Sequence, residues 1–159
     1  MHRIGFGYDI HRLETGRRLI LGGIRISYAE GLAGHSDGDA LVHAVIDALL
    51  GALGEGDIGT HFPDTDPRFE GARSVDLIET VMRLVRARGA AVGNVDAVIV
   101  AEEPKMAPHI PAMKAALAPL LGVPESAVGI KAKTNEGLGP VGEKRAIACY
   151  AVALISLPD

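Results

Sequence analysis

The spacing of apolar residues predicts three long helices in this chain. Residues 38 to 53 carry apolar side chains at helical spacing, at Val42, Val45, Ile46, Leu49, Leu50 and Leu53. A second helix is expected to start at Ser74, with Ser74 as its cap, and to stop at Gly89. A third is expected from residue 111 to residue 121, before Gly122.

Short apolar segments between turn residues predict the strands. The candidate strands are residues 3 to 9, 95 to 101, 128 to 133 and 146 to 156. Leu19-Ile20-Leu21 and Ile24-Arg25-Ile26 flank Gly22-Gly23, which predicts a tight hairpin. Helices that alternate with strands indicate an α/β or α+β sandwich in which helices cover one face of a mixed sheet. Residues 1 to 159 are expected to form a single domain.

The segment between the first two helices is rich in turn residues. Its glycines and prolines are Gly54, Gly56, Gly59, Pro63, Pro67 and Gly71. Such a sequence is not expected to sustain a helix or a strand, so residues 54 to 72 are interpreted as a long loop. Loops of this length inside a domain are usually functional or mobile.

Composition excludes several classes of protein. Apolar residues make up 48% of the 159 residues and the formal net charge is −4, which is typical of a globular chain and argues against a broad nucleic-acid contact. With three Phe, three Tyr and no Trp, there is no stacking platform for single strands. No membrane-spanning run or signal pattern is present, so we expect a cytoplasmic protein with Cys149 reduced.

Two histidines and one aspartate predict an open metal site. Asp9 and His11 are two residues apart in a predicted strand, so both project from one face. His43 lies beside the apolar face of the first helix, where an unpaired imidazole is costly to bury. Three such ligands leave a fourth position free on a zinc ion, as in catalytic sites, and the single Cys149 excludes a closed cysteine site.

The same residues also have a simpler interpretation. An Asp-x-His sequence at a strand end is more often a hydrogen-bonded surface pair than a metal site. His43 could be satisfied by Asp39 and Asp47, one turn to either side. If a metal is bound, these two carboxylates are expected to orient the second nitrogen of His43. The spacing does not decide between the two interpretations.

Residues before the first helix could hold a phosphate. His35 and Ser36 precede its N-terminus, where free N–H groups and the helix dipole favour an anion. The alternative is that Ser36 or Asp37 only caps the helix. The glycine-rich loop adds carboxylates at Asp57, Asp64 and Asp66. These are equally consistent with turn residues and with ligands for sugar hydroxyls or a cation.

Two later segments carry weaker signals. Residues 131 to 139, Lys-Ala-Lys-Thr-Asn-Glu-Gly-Leu-Gly, offer cations, a hydroxyl and a carboxylate after a strand. Such groups can clamp a polyphosphate and its metal ion, although each is also an ordinary surface residue. Residues 103 to 109 form a proline-stiffened segment of the kind that usually only connects elements.

Taken in order, these segments resemble one family, the 2-C-methyl-D-erythritol 2,4-cyclodiphosphate synthases of the methylerythritol phosphate route to isoprenoids. The resemblance rests on RIGFGYDIHRL at 3 to 13, HSDGDALVHAVIDALLGA at 35 to 52, GDIGTHFPDTDP at 56 to 67, NVDAVIVAEEPKMAPHI at 94 to 110 and IKAKTNEGLG at 130 to 139. It spans nearly the whole chain, and several motifs in fixed order are far more specific than any one of them.

The resemblance implies two metal ions and two catalytic residues. It implies that zinc is held by Asp9, His11 and His43, with a substrate phosphate as the fourth ligand. A second divalent ion, magnesium or manganese, is implied at Glu136, and His35 and Thr134 match the positions that stabilise the transition state.

The resemblance also implies a set of substrate-binding residues. Those at the phosphate and the methylerythritol unit are Asp9, Ile10, His11, His35 and Ser36. Those in the loop that closes over that unit are Asp57, Ile58, Gly59, Phe62, Pro63, Asp64, Thr65 and Asp66. Those around cytosine, largely through backbone groups, are Ala101, Glu102, Glu103, Pro104, Lys105, Met106 and Ala107. Those at the phosphate of CMP are Lys133, Thr134, Asn135 and Glu136.

The activity implied is an intramolecular phosphoryl transfer. The 2-phosphate of 4-diphosphocytidyl-2-C-methyl-D-erythritol 2-phosphate attacks the β-phosphorus, which forms the cyclic diphosphate and releases CMP. The fold implied is an α+β mixed sheet with helices on one face, in a homotrimer whose sheets face a threefold axis. The active sites then lie between subunits, and neither nucleic acid nor membrane is a partner.

Three positions depart from the pattern of the family. Pro140 and Glu143 stand where many members have an aromatic residue and an arginine, so the resemblance does not extend anion binding in the trimer cavity to this chain. Lys133 stands where many members have a threonine.

Two other functions remain open. A zinc hydrolase acting on a nucleotide diphosphate would share the open metal site and use metal-bound water. A non-catalytic trimer could bind a nucleotide with a structural metal.

Overall fold

A mixed sheet organises the chain. The computed structural model describes residues 1–158. Its strands are β1 (His2–Thr15), β2 (Leu19–Leu21), β3 (Ile24–Ile26), β4 (Glu30–Leu32), β5 (Ala91–Val100), β6 (Val128–Lys133) and β7 (Ala146–Ser156). Five of them form one sheet in the order β4-β1-β7-β5-β6, in which only β5 and β6 are parallel. The remaining two pair around Gly22-Gly23, so the predicted hairpin and mixed sheet are confirmed.

The three long helices are also confirmed. The helices are α1 (Ala40–Leu53), α2 (Ile58–His61), α3 (Ser74–Ala87), α4 (Ile110–Leu121) and α5 (Gly139–Gly142). Short 3-10 helices lie at Pro67–Phe69, Ala107–His109 and Glu125–Ala127. None of the helices within residues 1–158 combines the length and apolar character that a membrane span needs.

The prediction that residues 54 to 72 lack helix was wrong. The segment contains α2 and a 3-10 helix, because aspartate side chains cap both. Asp57 accepts a hydrogen bond from the Thr60 N–H, and Asp66 accepts one from the Arg68 N–H. Such caps satisfy orphan N–H groups and let a short helix form between turn residues.

The strand β1 divides its side chains between two surfaces. Gly5 and Gly7 face α1, where a Cβ would lie 1.8 Å from the Ala48 carbonyl oxygen and 1.9 Å from that of Ala44. Only glycine allows the helix backbone to approach the strand so closely. The helix α1 therefore rests directly on β1.

The opposite face of the sheet is apolar and open. Phe6 is 63% exposed, and Tyr8 and Tyr150 are 44% and 40% exposed. The two tyrosine rings pack with centroids 5.0 Å apart. Large apolar groups clustered on one open surface are typical of an interaction surface.

Three strands bring the predicted functional segments to one end of the sheet. Asp9 pairs with Cys149, Cys149 with Ile99, and Ile99 with Ala132. Because β1, β5 and β6 run in the same direction, the segments that follow β5 and β6 begin beside the end of β1 that carries the proposed metal ligands. Strand spacing puts β1 and β6 roughly 14 Å apart.

Candidate active site

Asp9, His11 and His43 meet at one point. The Asp9 Oδ2 atom lies 2.7 Å from His11 Nε2 and 2.9 Å from His43 Nδ1, and the two nitrogens are 3.2 Å apart. In the part of the chain that the structure describes, this is the only group of three such side chains positioned to hold a metal ion. The predicted convergence of these three residues is confirmed.

The arrangement fits a tetrahedral metal ion. Bonds of about 2.0 to 2.1 Å to a tetrahedral zinc ion place neighbouring ligand atoms about 3.3 to 3.4 Å apart. The three atoms here need to separate by at most about 0.7 Å to reach that spacing. Imidazole and carboxylate are also the donors that zinc takes in open sites. The residues therefore fit a zinc ion with one free position.

The fold explains how the third ligand reaches the other two. Gly7 precedes Asp9 on the same face of β1, and it lets α1 lie against the strand at Ala44. The adjacent residue on the helix is His43, which is buried and points its Nδ1 at Asp9. The site thus depends on a glycine that the ligand spacing alone does not identify.

The second nitrogen of His43 contacts serines. Its Nε2 lies 2.8 Å from the Ser74 hydroxyl oxygen and 3.2 Å from that of Ser36. The prediction that Asp39 and Asp47 orient this nitrogen was wrong. Those carboxylates accept hydrogen bonds from backbone N–H groups instead.

Asp39 and Asp47 have structural roles that explain this difference. Asp39 is the cap of α1 and accepts hydrogen bonds from the Val42, Gly22 and Gly23 N–H groups. The expectation that Ser36 or Asp37 caps this helix was therefore wrong. Asp47 accepts a hydrogen bond from the N–H of Ile58, which is 2.7 Å away.

Electrostatics keep Asp9 ionised. Burial alone would raise the pKa of Asp9, but its close contacts with the His11 and His43 rings outweigh burial and lower the pKa to about 2. Burial alone would lower the pKa of His11, but the hydrogen bond and negative charge of Asp9 raise it above its usual value. A proton on His11 therefore competes with a metal ion over a wider range of pH.

We expect metal affinity to fall as the pH is lowered. Because the pKa of His11 is raised, its imidazolium persists above pH 6.5, whereas Asp9 stays ionised down to about pH 2. Below the pKa of His11, the apparent affinity for zinc should drop about tenfold per pH unit as the metal displaces a proton. A chelator competition titration between about pH 5.5 and 8.5 measures this. An affinity that stays constant across that range would contradict it.

The metal ligands open into a cleft of about 480 Å³. Its lining residues are Asp9, His11, Gly34, His35, Ser36, His43, Ile58, Gly59, Phe62, Pro63, Asp64, Phe69 and Leu77. Ten of the residues expected at the metal or the substrate are among them. A larger cleft, of about 650 Å³, is lined by arginines and lacks a cluster of metal donors. The chemistry therefore places the candidate site in the smaller one.

Several predicted residues lie outside this cleft. Ile10 projects from the opposite face of β1 and is 40% exposed. Asp57 caps α2, and Asp66 pairs with Arg68 at 2.6 Å. Thr65 does not line the cleft. The substrate contacts expected of these residues stay predictions.

The two segments expected at CMP form a separate cluster. Glu102 accepts hydrogen bonds from the Asn135 and Gly137 N–H groups, which ties residues 101 to 107 to residues 133 to 136. Thr134 donates a 3.4 Å hydrogen bond to Glu136, and both side chains are exposed. Neither segment lines the 480 Å³ cleft. One chain therefore presents two separate parts of the expected site.

Sequence reasoning missed residues that complete the cleft. Phe69 and Leu77 supply apolar walls, and Ser74 contacts His43 from the start of α3. Ser74 was expected to cap α3, but the residue before it is the N-cap. The Ser74 hydroxyl contacts His43 instead. A serine before an apolar helix resembles a cap, so no local signal distinguishes this role.

Comparison with known proteins agrees with the geometry. The family model that matches is the YgbB family, over residues 2–156. A 2-C-methyl-D-erythritol 2,4-cyclodiphosphate synthase from Gloeobacter violaceus is 60% identical over 96% of this chain and 94% of its own. One from Geotalea daltonii is 58% identical over 96% of this chain and 90% of its own.

A solved structure of such a synthase, in a form with CDP bound, superimposes with a TM-score of 0.89. It is 45% identical and covers 97% of this chain and 100% of its own. With this agreement over nearly the whole length, the chain belongs to the YgbB family, the family of these cyclodiphosphate synthases.

Proposed function

We propose that this chain converts 4-diphosphocytidyl-2-C-methyl-D-erythritol 2-phosphate to 2-C-methyl-D-erythritol 2,4-cyclodiphosphate and CMP. One observation carries the proposal: three metal donors within 3.2 Å of one another open into a cleft that His35, Ser36 and the loop of α2 line. The family supplies the reaction, since relatives up to 60% identical carry this name. The relative solved with CDP supports a cytidine nucleotide as the ligand.

The reaction requires placement and charge neutralisation more than covalent chemistry. The attacking oxygen belongs to the substrate, so the site needs no activated nucleophile of its own. We assign zinc to Asp9, His11 and His43; when bound, it supplies positive charge and a free coordination position for a phosphate oxygen. His35 lies on the wall of the same cleft, which supports a role for it in contacting the phosphoryl group.

The second segment is assigned to the cytidine side of the substrate. We propose that residues 101 to 107 surround cytosine and that Lys133 and Thr134 contact the phosphate of CMP. Glu136 is proposed to hold a second divalent cation, magnesium or manganese. Glu102 supports this assignment because its side chain ties the first loop to the backbone of the second with two hydrogen bonds.

Apolar groups in the cleft serve to exclude water. Phe62 and Phe69 pack edge to face with centroids 5.3 Å apart, and Ile58 and Leu77 line the same wall. Water at the phosphorus would divert the substrate to hydrolysis, so an apolar wall favours cyclisation. This wall supports a synthase over a hydrolase.

We propose that three copies of the chain assemble with their sheets around a threefold axis. The exposed aromatic face of β1 and β7 supports this, since it offers an apolar surface that neighbouring copies could bury. The separation of the metal cleft from the CMP segments supports an active site completed by a neighbouring copy. The single-domain organisation and the cytoplasmic localisation stay predictions.

A product assay tests the proposed function. The purified chain is incubated with the cytidine diphosphate substrate, with and without a chelator, and the products are identified by phosphorus NMR. We expect CMP and a cyclic diphosphate, and loss of both products with the chelator. CMP together with a linear phosphate would instead identify a hydrolase, and no turnover by the zinc-loaded protein would favour a binding protein.

A charge on the aromatic face should break the assembly. Phe6→Glu places a carboxylate among the exposed aromatic side chains, where burial between subunits would cost several kcal/mol. We expect light scattering to show a smaller species. We also expect the product assay to show activity reduced by about tenfold or more. The control is Ala115→Glu on an exposed position of α4, which should leave the mass unchanged. An unchanged mass for Phe6→Glu would contradict the proposed interface.

A further inference from the structure

We propose that Asp37 and Ser74 are positioning residues that fix the tautomer in which His43 presents Nδ1 to the metal. The inference deepens the proposed function and rests on its assignment of a metal to His43. Its basis is a continuous hydrogen-bonded chain from the Asp37 carboxylate through the Ser74 hydroxyl to His43 Nε2.

Counting protons from Asp37 to His43 shows which group donates each hydrogen bond. An ionised carboxylate can only accept, so the short contact between the Ser74 hydroxyl and Asp37 Oδ1 uses the one proton of Ser74. The Ser74 oxygen can then only accept from His43 Nε2, 2.8 Å away. Nε2 must carry its proton, and a neutral ring then keeps the lone pair of Nδ1 free for a metal.

The carboxylate is held in its acceptor role from several directions. The Ser74 N–H donates to Asp37 Oδ2 at 3.0 Å, and the Asp39 N–H donates to Asp37 Oδ1 at 3.2 Å. Ser74 has no exposed surface and His43 is 7% exposed. Bulk water therefore has little access with which to replace the serine.

Asp9 favours the other tautomer of His43. Its Oδ2 lies 2.9 Å from His43 Nδ1, so without a metal this carboxylate favours a proton on Nδ1. That tautomer would block coordination. The hydrogen bonds that run from Asp37 through Ser74 oppose this preference, because they favour the proton on Nε2. The tautomer of His11 is not fixed by a side chain in this way. His11 hydrogen-bonds to the backbone of Ala33, which a side-chain substitution does not remove.

The test measures zinc affinity and tautomer, independently of activity. Ser74→Ala removes the nearer acceptor at Nε2, 2.8 Å away, and leaves the Ser36 hydroxyl oxygen at 3.2 Å. We expect zinc to bind roughly 10 to 100-fold more weakly, as after other losses of a hydrogen-bond partner of a metal-bound histidine. Chelator competition measures the affinity. Nitrogen-15 NMR of the metal-free protein should show the His43 proton on Nε2 in the parent and on Nδ1 in Ser74→Ala.

A second variant keeps the shape of the site. In Asp37→Asn the amide oxygen should stay with the stronger 3.0 Å contact from the Ser74 N–H, so the amide nitrogen faces the Ser74 hydroxyl. The hydroxyl is then released to donate to His43, which favours the wrong tautomer. We expect a loss of zinc affinity similar to that of Ser74→Ala.

Ser74→Thr is the conservative control. It keeps the hydroxyl, so it should retain the zinc affinity and the His43 tautomer of the parent. Circular dichroism of the metal-free variants checks that each is folded. If folded Ser74→Ala and Asp37→Asn bind zinc within twofold of the parent and keep the proton on Nε2, the inference is overturned. If the parent itself does not bind zinc, the proposed metal site fails instead.

Discussion

Asp9→Asn should reduce the rate of CMP release by about 10³-fold or more. The substitution keeps the shape of the side chain but removes the negative charge that lies 2.7 Å from His11 and 2.9 Å from His43. A metal ion contributes several kcal/mol of charge stabilisation to phosphoryl transfer, and about 4 kcal/mol corresponds to a thousandfold. Steady-state rates measure the effect, together with the zinc content of the purified variant.

The matched control is Asp47→Asn. Asp47 lies one turn from His43 on α1, and its oxygen accepts a hydrogen bond from the Ile58 N–H, which an asparagine oxygen can also accept. We expect this variant to keep its zinc and at least about a third of the parent rate. Equal losses in the two variants would mean that Asp9 acts through general electrostatics rather than as a ligand.

The second large effect is expected at Gly7. In Gly7→Ala the new Cβ would lie 1.9 Å from the Ala44 carbonyl oxygen, so α1 has to move away from β1. We expect a loss of about 3 kcal/mol or more in stability, since overpacking against a backbone is not relieved by a rotamer change. That corresponds to roughly 6 to 12 °C in the melting temperature, measured calorimetrically on metal-free protein.

This variant should also lose zinc affinity, because the same shift moves His43 away from Asp9 and His11. Gly51→Ala is its control on the same helix, where the nearest atoms to a new Cβ are 3.9 Å away. An alanine inside a helix is about 0.5 to 1 kcal/mol more favourable than glycine, so Gly51→Ala should be neutral or stabilising. A Gly7→Ala protein as stable as the parent would show that α1 can shift at no cost.

Periodicity predicted the framework because the elements that carry it are long and rich in apolar residues. In α1 every residue except Asp47 and Gly51 is buried, and the buried set includes His43. Asp9 and His11 alternate with outward residues on β1, so their common face followed from strand geometry. The family motifs then assigned the chemistry that spacing left open.

The remainder could not be predicted because it depends on contacts between distant segments. Ser74 reaches His43 only after α3 packs beside α1, and Asp37 reaches Ser74 across 37 positions of sequence. The short helix α2 forms because Asp57 caps it, although glycine and proline surround it. The separation of residues 133 to 136 from the metal cleft likewise depends on the order of strands in the sheet.

The alternation along β1 has a consequence for how the sequence can change. Gly5, Gly7, Asp9 and His11 face the helix and the metal, while Ile4, Phe6, Tyr8 and Ile10 face outward. A single-residue insertion or deletion near the start of this strand would exchange the two sets over the shifted part. The metal ligands and the exposed aromatic face would then be displaced together. The length of this strand should therefore be far less free to vary than the identity of any single outward residue.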